Sequence, residues 1–378
     1  GGLVRHKNVL SILVQCLGLA AVMSVVWFIC GYSLAFGHGG ESANFLIGGL
    51  DDFFLWGMTT EDTKLGLPKP IFVLFQMTFF IITPALIIGG VAERMKFSAI
   101  LLFSVFWGLL CYLPICHQVW GGGWMGEWGV KDLAGGTVVH VTAGIAALVA
   151  CLVVGKRRGY PEEPIKPHNL TMTVTGTGML WVGWFGFNGG SVLAADGGAS
   201  MAILVTHISA CAAVLTWMAI EWLRHGKPSA LGMATGAIAG LATITPASGN
   251  VGPFGAFIIG ICAGIGCYWG AVWLKNKMGW DESLDAFGVH GVGGAIGTVL
   301  VAVFAHPALG GYGIEDYALG DQLIKQVVAV VVTAIWSGGV ALILLYAIKA
   351  LIGLRVTDDA EDLGMDLSEH DERGYILF

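Results

Sequence analysis

Charged and uncharged positions alternate along this chain in long blocks. Lys, Arg, Asp and Glu are absent from 8–36, 71–92, 97–126, 133–155, 167–195, 197–220, 228–274, 286–314 and 326–348. A helix needs roughly 20 apolar residues to cross ~30 Å of hydrocarbon, so eight of these windows read as single spans. The longest, 228–274, exceeds one helix and is interrupted by Pro246, Gly249, Asn250, Gly252 and Pro253. It reads as two helices joined by a tight turn. The pattern predicts ten transmembrane helices and an all-α polytopic membrane protein.

Lys and Arg orient them, because cytoplasmic loops collect positive charge. With the first residues inside, every Lys and Arg except Lys64, Lys69, Lys131 and Lys325 falls on the cytoplasmic side, out of 19 in all. One missed helix would scramble that alternation. Outer loops carry Glu41, Asp51, Asp52, Glu61, Asp62, Glu315, Asp316 and Asp321. An acidic outer face raises the local concentration of cations, and acidic residues are also the ordinary means of solvating a loop. The chain opens Gly1-Gly2-Leu3-Val4-Arg5 with no initiator Met and no signal peptide, so it reads as a fragment beginning inside a cytoplasmic loop. Residues 1–355 form the expected transmembrane domain. Residues 356–378, polar, acidic and without periodicity, form an expected cytoplasmic tail.

Composition agrees and removes other classes. Of 378 residues, 56% are hydrophobic and 12% charged, with mean hydropathy +0.76. Soluble domains carry about 25% charged residues, so this chain has too little charge to cover a soluble surface. Its 58 glycines suit a membrane interior, where small residues let helices approach. A net charge of −7 without a basic stripe excludes nucleic-acid binding. The 8 cysteines all lie inside spans, without metal-ligand spacing, and read as packing residues. No metal or cofactor is expected.

Ionisable groups inside spans mark function, because burying a charge costs at least ~2.5 kcal/mol. Two histidines stand out: His140, downstream of Asp132, and His290, downstream of Asp285. His140 lies nine residues past Lys131 and His290 nine past Asp281, which at ~1.5 Å rise per residue places both near the bilayer centre. Their helices run in opposite directions, and each has a Gly four residues on, Gly144 and Gly294. This is the pattern of an inverted repeat with its site at the repeat interface. Two core histidines that only bind backbone carbonyls are the alternative, which the matched depth disfavours. Paired neutral imidazoles share an N–H and offer ring nitrogens to a small hydrogen-bonding guest.

Aromatic residues supply walls and a mouth. Trp120-Gly121-Gly122-Gly123-Trp124 and Trp184-Phe185-Gly186-Phe187-Asn188-Gly189-Gly190-Ser191 reach the outer side, and Phe79 and Phe80 lie in the window 71–92. Aromatic faces attract a cation by about 0.5–2 kcal/mol, and Phe pairs can gate a pore. The interfacial aromatic belt accounts for Trp124, Trp128 and Trp280.

Taken together, these motifs resemble the Amt/Mep/Rh ammonium transporter family. The resemblance rests on Gly1-Gly-Leu-Val-Arg-His-Lys-Asn8, Gly31-Tyr-Ser-Leu-Ala-Phe-Gly37, Ala92-Glu-Arg94, Asp132 to His140, Lys166-Pro-His-Asn169, Gly183-Trp-Phe-Gly-Phe-Asn188, Phe287-Gly-Val-His-Gly291 and Gly353-Leu-Arg355. They stand in the family's order over almost the whole chain, and Trp120 favours the Amt branch. Members have eleven helices in an inverted pseudo-twofold repeat. Ten are expected here, so the chain looks like a member without its first helix.

The resemblance further implies roles. Phe79, Trp120 and Ser191 would form an outer ammonium-recruitment site, with Phe79 and Phe187 stacked as a gate below it. His140 and His290 would line the pore. Asp132 would support the recruitment site without touching the ion, and Asp285 resembles its counterpart in the second half. Ammonium would be recruited outside, deprotonated and conducted as ammonia, with or without a separate proton, by a transporter of the cell membrane that is not an enzyme. A homotrimer in the lipid bilayer and a cytoplasmic P-II signal protein are the implied partners. An ammonium sensor and an Rh-like channel for ammonia or carbon dioxide are the alternatives. A membrane enzyme lacks a nucleophile, metal cluster or nucleotide motif.

Overall fold

The computed structural model describes residues 1–163, 165–314 and 317–375. Ten long helices cross the body: α1 (His6–Phe36), α2 (Lys69–Val91), α3 (Phe97–Trp128, interrupted by a turn at 121–123), α4 (Gly136–Val154), α5 (Leu170–Gly190), α6 (Gly197–His225), α7 (Ala230–Ile244), α8 (Pro253–Met278), α9 (Phe287–Phe304) and α10 (Leu319–Ile352). Among the described residues, eight are long and apolar enough to cross a membrane unaided. The exceptions are α7, with 15 residues, and α5, diluted by Thr171, Thr173, Thr175, Thr177 and its glycines. The window 228–274 divides as expected, into α7 and α8 around the turn at 245–252. Of the acidic loop residues, Glu315 and Asp316 lie outside the described residues.

The body closes around side chains that a membrane interior favours. Trp27, Trp107, Tyr32, Tyr112, Phe72, Phe79 and Phe80 are fully buried. Phe80 packs against Trp27 and Tyr112 at centroid separations of 5.3 and 5.4 Å, so it belongs to this core and not to a gate.

The centre is built on close approach of α4 and α9. A Cβ on Gly144 would lie 2.2 Å from the backbone nitrogen of Gly291, and one on Gly294 would lie 2.7 Å from the His140 Cβ. Each helix thus presses its glycine against the other's histidine turn, a reciprocity expected of a pseudo-twofold axis. No side chain larger than hydrogen fits either place without moving backbone. Both helices start with a π turn, Gly136–Val141 and Phe287–Gly291, and their neighbours α3 and α8 carry π turns at Gly108–Tyr112 and Trp269–Leu274. The widened ring is explicit at His140, whose N–H donates to the Gly135 carbonyl at 2.9 Å.

At the face where Lys and Arg gather, called the basic face below, buried charges tie the helix ends together. Arg157 reaches Glu93 at 2.8 Å and Asp281 at 2.6 Å. Burial opposes ionisation of Glu93, but the Arg157 and Arg5 guanidiniums outweigh it and hold the carboxyl below its usual range. For Asp281, burial is likewise overcome by Arg157, and its value is also lowered. Arg94 donates to the carbonyls of Gly90, Ala92, Gly155 and Asp281. Breaking such a buried pair from one side typically costs about 3–5 kcal/mol.

The tail is ordered. It forms two short helices, α11 (Asp358–Leu363) and α12 (Met365–His370). Tertiary anchors hold them: Asn8 Oδ1 accepts from the Met365 N–H at 2.8 Å, Asp366 accepts from the Ser11 N–H at 2.7 Å, and Glu369 accepts from the Phe97 N–H at 2.9 Å. Segments of six residues lack the length for an apolar stripe to show.

Candidate functional site

Opposite the basic face, α2, α3 and the end of α5 enclose a cavity of about 270 Å³ whose lining includes Phe79, Trp120 and Ser191. The three residues assigned to recruitment, 112 positions apart at the extremes of sequence (79 to 191), therefore meet in one place. The Phe79 and Trp120 rings stand edge to face at 5.7 Å. Ser191 donates its hydroxyl to the Phe187 carbonyl at 2.7 Å, which leaves the oxygen's lone pairs to accept. Gln76, one turn before Phe79, also lines the cavity, and its buried Oε1 has no partner in the protein. Sequence reading missed it, although a polar residue three positions before the key Phe in an apolar span was the available signal.

Below this cavity the aromatic groups form a file. The Phe79 and Phe187 rings meet at 4.5 Å with planes tilted by 48°, Phe187 lies 6.1 Å from the His140 ring, and Trp184 lies against the same imidazole at 5.7 Å. The two imidazoles follow, with centroids 5.2 Å apart and planes 24° from parallel. Their Nδ1 atoms are 3.3 Å apart, so one N–H is shared between two nitrogens and the tautomers are complementary. Both rings are buried, and His140 Nε2 has no partner within the protein.

The supporting carboxylates separate into two kinds. Asp132 caps α4: Oδ1 accepts from the N–H of Gly135 and Gly136 at 2.8 and 2.6 Å, and Oδ2 from the N–H and hydroxyl of Thr137 at 2.8 and 2.5 Å. A carboxylate at a helix N-terminus also meets the positive end of the dipole. Asp132 does not line the cavity, but its backbone carbonyl accepts from the Trp120 indole at 2.7 Å. Asp285 instead pairs with Lys275 and is partly exposed. The carboxylate placed like Asp132 in the second half is Glu282, which accepts from the Phe287 N–H at the start of α9. The spacing carries the signal: Asp132 precedes His140, and Glu282 precedes His290, by the same eight residues. Burial, followed by repulsion from Asp285, pushes the Glu282 carboxyl up to about 8.

On the basic side, a polar cavity of about 430 Å³ is lined by residues including Arg157, Tyr160, Lys275, Asp281, Ser283 and Asp285. The site is therefore a row: an aromatic and hydroxyl cavity on one face, a phenylalanine pair, two touching histidines, and a charged cavity on the other face.

Comparison with known proteins agrees with this arrangement. The description of the Ammonium Transporter Family matches residues 1–375. The chain is 44% identical to the ammonium transporter of Bacillus subtilis, over 99% of this chain and 92% of that protein. It is 42% identical to the ammonium transporter Amt1 of Archaeoglobus fulgidus, over 99% and 93%. Among solved structures, a sensor Amt protein superimposes with a TM-score of 0.90 at 32% identity, covering 98% of this chain and 92% of that one. Mep2 of Saccharomyces cerevisiae does so with 0.84 at 36% identity, covering 94% and 84%.

Proposed function

We propose that this chain, which belongs to the ammonium transporter family, takes up ammonium at the Phe79–Trp120–Ser191 cavity and passes it on as ammonia along His140 and His290. The observation that carries this reading is the unbroken row from Trp120 through Phe79 and Phe187 to the touching imidazoles. The aromatic faces attract a cation, and the Ser191 oxygen and the free Gln76 Oε1 accept from its N–H groups. The paired phenylalanines offer no polar partner, so the charged form is penalised there far more than the neutral one. Ammonium surrenders a proton near the mouth, to the outer water or to the histidine file that carries it inward separately. Ammonia then hydrogen-bonds to the histidine nitrogens, His140 Nε2 among them, and regains a proton on the far side. Potassium, similar in size, has no proton to lose and stops at the phenylalanines.

Asp132 acts from behind: it holds the start of α4, and through its carbonyl it holds the Trp120 indole. The basic face is the cytoplasmic one, in a cell membrane, and α11 and α12 offer a P-II signal protein its docking surface. A homotrimer covers α5. Gly176, Gly178, Gly183 and Gly186 on this helix have nothing within 4 Å of a built Cβ, and its threonine-rich face suits another copy better than lipid tails.

The test is current on a solid-supported membrane after an ammonium jump, beside ammonia flux followed by an internal pH dye. Ammonium should give a saturable response, methylammonium should compete, and potassium should give none. A protein that binds ammonium but moves neither charge nor ammonia would be a sensor, and the transport reading would fall. Carbon dioxide flux untouched by His140→Ala with His290→Ala would speak for a gas channel instead.

A further inference from the structure

Behind the recruitment cavity, His117 on α3 is completely buried between two backbone carbonyls. Its Nδ1 lies 2.9 Å from the Ala35 oxygen, and its Nε2 lies 2.8 Å from the Asn44 oxygen. A carbonyl offers only lone pairs, so each ring nitrogen must bring the proton, and an imidazole with two N–H groups is a cation. A neutral ring would set a bare nitrogen against a bare oxygen, and a buried group left unpaired costs about 1–3 kcal/mol. No carboxylate pairs with His117 among the described residues. Its charge meets the C-terminal end of α1 instead. Ala35 supplies one of the last four carbonyls there, which a helix leaves without partners of its own, and the dipole at that end favours a cation.

The same residue draws the walls of the cavity together. Phe36, next to Ala35, and Trp120, one turn beyond His117, both line it. The His117 carbonyl accepts from the N–H groups of Gly121 and Gly123 at 2.9 and 3.0 Å, which winds the turn after Trp120 around it. From the loop, the Asn44 amide donates to the Gly122 carbonyl at 3.2 Å, and the Phe45 carbonyl accepts from the Trp124 N–H at 3.3 Å. A Cβ on Gly121 would stand 2.0 Å from the Ala35 oxygen and 2.5 Å from His117 Nδ1, so only glycine lets the end of α1 come this near. We infer that His117 is held as an imidazolium and is a positioning residue for ammonium recruitment, clamping the end of α1 and the loop at Asn44 to the turn that carries Trp120. The role rests on the recruitment reading above; the charge does not. Trp120 is thereby fixed twice, its indole by the Asp132 carbonyl and its main chain by the turn wound on His117.

Only His117 among the histidines follows a cysteine, Cys116. Isotope labels on cysteine carbonyl carbon and on histidine nitrogen therefore single it out in solid-state NMR spectra of the full chain in lipid. Both ring nitrogens should be protonated at neutral pH, and one bare ring nitrogen would overturn the assigned charge. Ammonium-jump currents test the role. His117→Asn keeps a donor near Ala35 and loses both the charge and the bond to Asn44. It should raise the half-saturating ammonium concentration by about 2- to 30-fold, the range for losing the Trp120 face itself, and leave the maximal current in place. With Trp120→Leu already present, the same substitution should add little, because it acts through that ring. Gly121→Ala intrudes on the same contact from the other side and should reproduce the shift. Unchanged half-saturation in either single variant, or a full further loss on top of Trp120→Leu, would overturn the positioning role. A wild-type protein without ammonium current would fell the recruitment reading, and with it the role, while the nitrogen spectrum would still decide the charge.

Discussion

Nδ1 of His140 and Nδ1 of His290 lie 3.3 Å apart, each supplied by a different half of the chain and each at the first turn of its helix. A guest in the apolar pore loses its hydrogen bonds to water, and each unreplaced bond costs about 1–3 kcal/mol. His140→Ala or His290→Ala should therefore slow ammonia flux by roughly 5- to 150-fold, and the double variant should conduct no better than the slower single one. Flux into vesicles loaded with a pH dye measures this directly.

Recruitment should show in affinity. Trp120→Leu removes an aromatic face worth about 0.5–2 kcal/mol, so the half-saturating ammonium concentration should rise about 2- to 30-fold. Ser191→Ala and Gln76→Leu each remove one acceptor from the same cavity, and each should raise it a few-fold, on the order of 1 kcal/mol. Concentration series of ammonium-jump currents would measure all three. An unchanged Gln76→Leu response would remove that residue from the site.

The glycine contacts make a stability prediction. Adding a methyl at Gly144 drives it into Gly291 backbone at 2.2 Å, so Gly144→Ala should cost about 1–3 kcal/mol and separate the histidines enough to slow flux. Gly339→Ala on α10 meets nothing within 4 Å and should be neutral or slightly stabilising through helix propensity. Melting in detergent micelles distinguishes the two.

Glu282 predicts a pH dependence. Its carboxyl is raised to about 8 in the folded protein from an ordinary 4.5, so the folded state holds this proton more tightly than the unfolded one. The associated stability is complete below pH about 4.5 and lost as pH rises through about 8. Glu282→Gln keeps a neutral group in place and should flatten that decline, with its advantage over the parent greatest above pH 8. Thermal melts of both proteins across that window give the answer.

Most of this architecture is written in the pattern of charge along the chain. The spans were legible because charge is excluded from hydrocarbon so strongly that its absence alone draws their edges. The histidines were legible because they break that exclusion at matched depth. Gln76 was not, since an amide carries no charge and one polar residue in a span is common. The role of Glu282 was hidden behind Asp285, the nearer carboxylate; the eight-residue spacing to the histidine marks it, and the hydrogen bond from Phe287 shows it to be the one that caps the helix. The tail helices were invisible for a different reason: their order comes from Asn8, Ser11 and Phe97, at distant positions of the chain.

The paired π turns have a consequence for how this pore tolerates change. Each π turn takes up one residue more than an α-helical turn holds, so the residues inside it, His140 and His290 among them, are displaced around the helix axis while the helix beyond runs on. Shortening Gly136–Val141 or Phe287–Gly291 by a single position would let the helix tighten into its preferred pitch. The same shortening would swing its imidazole out of phase with the other. At these two turns the chain keeps a costlier winding for the sake of angular timing.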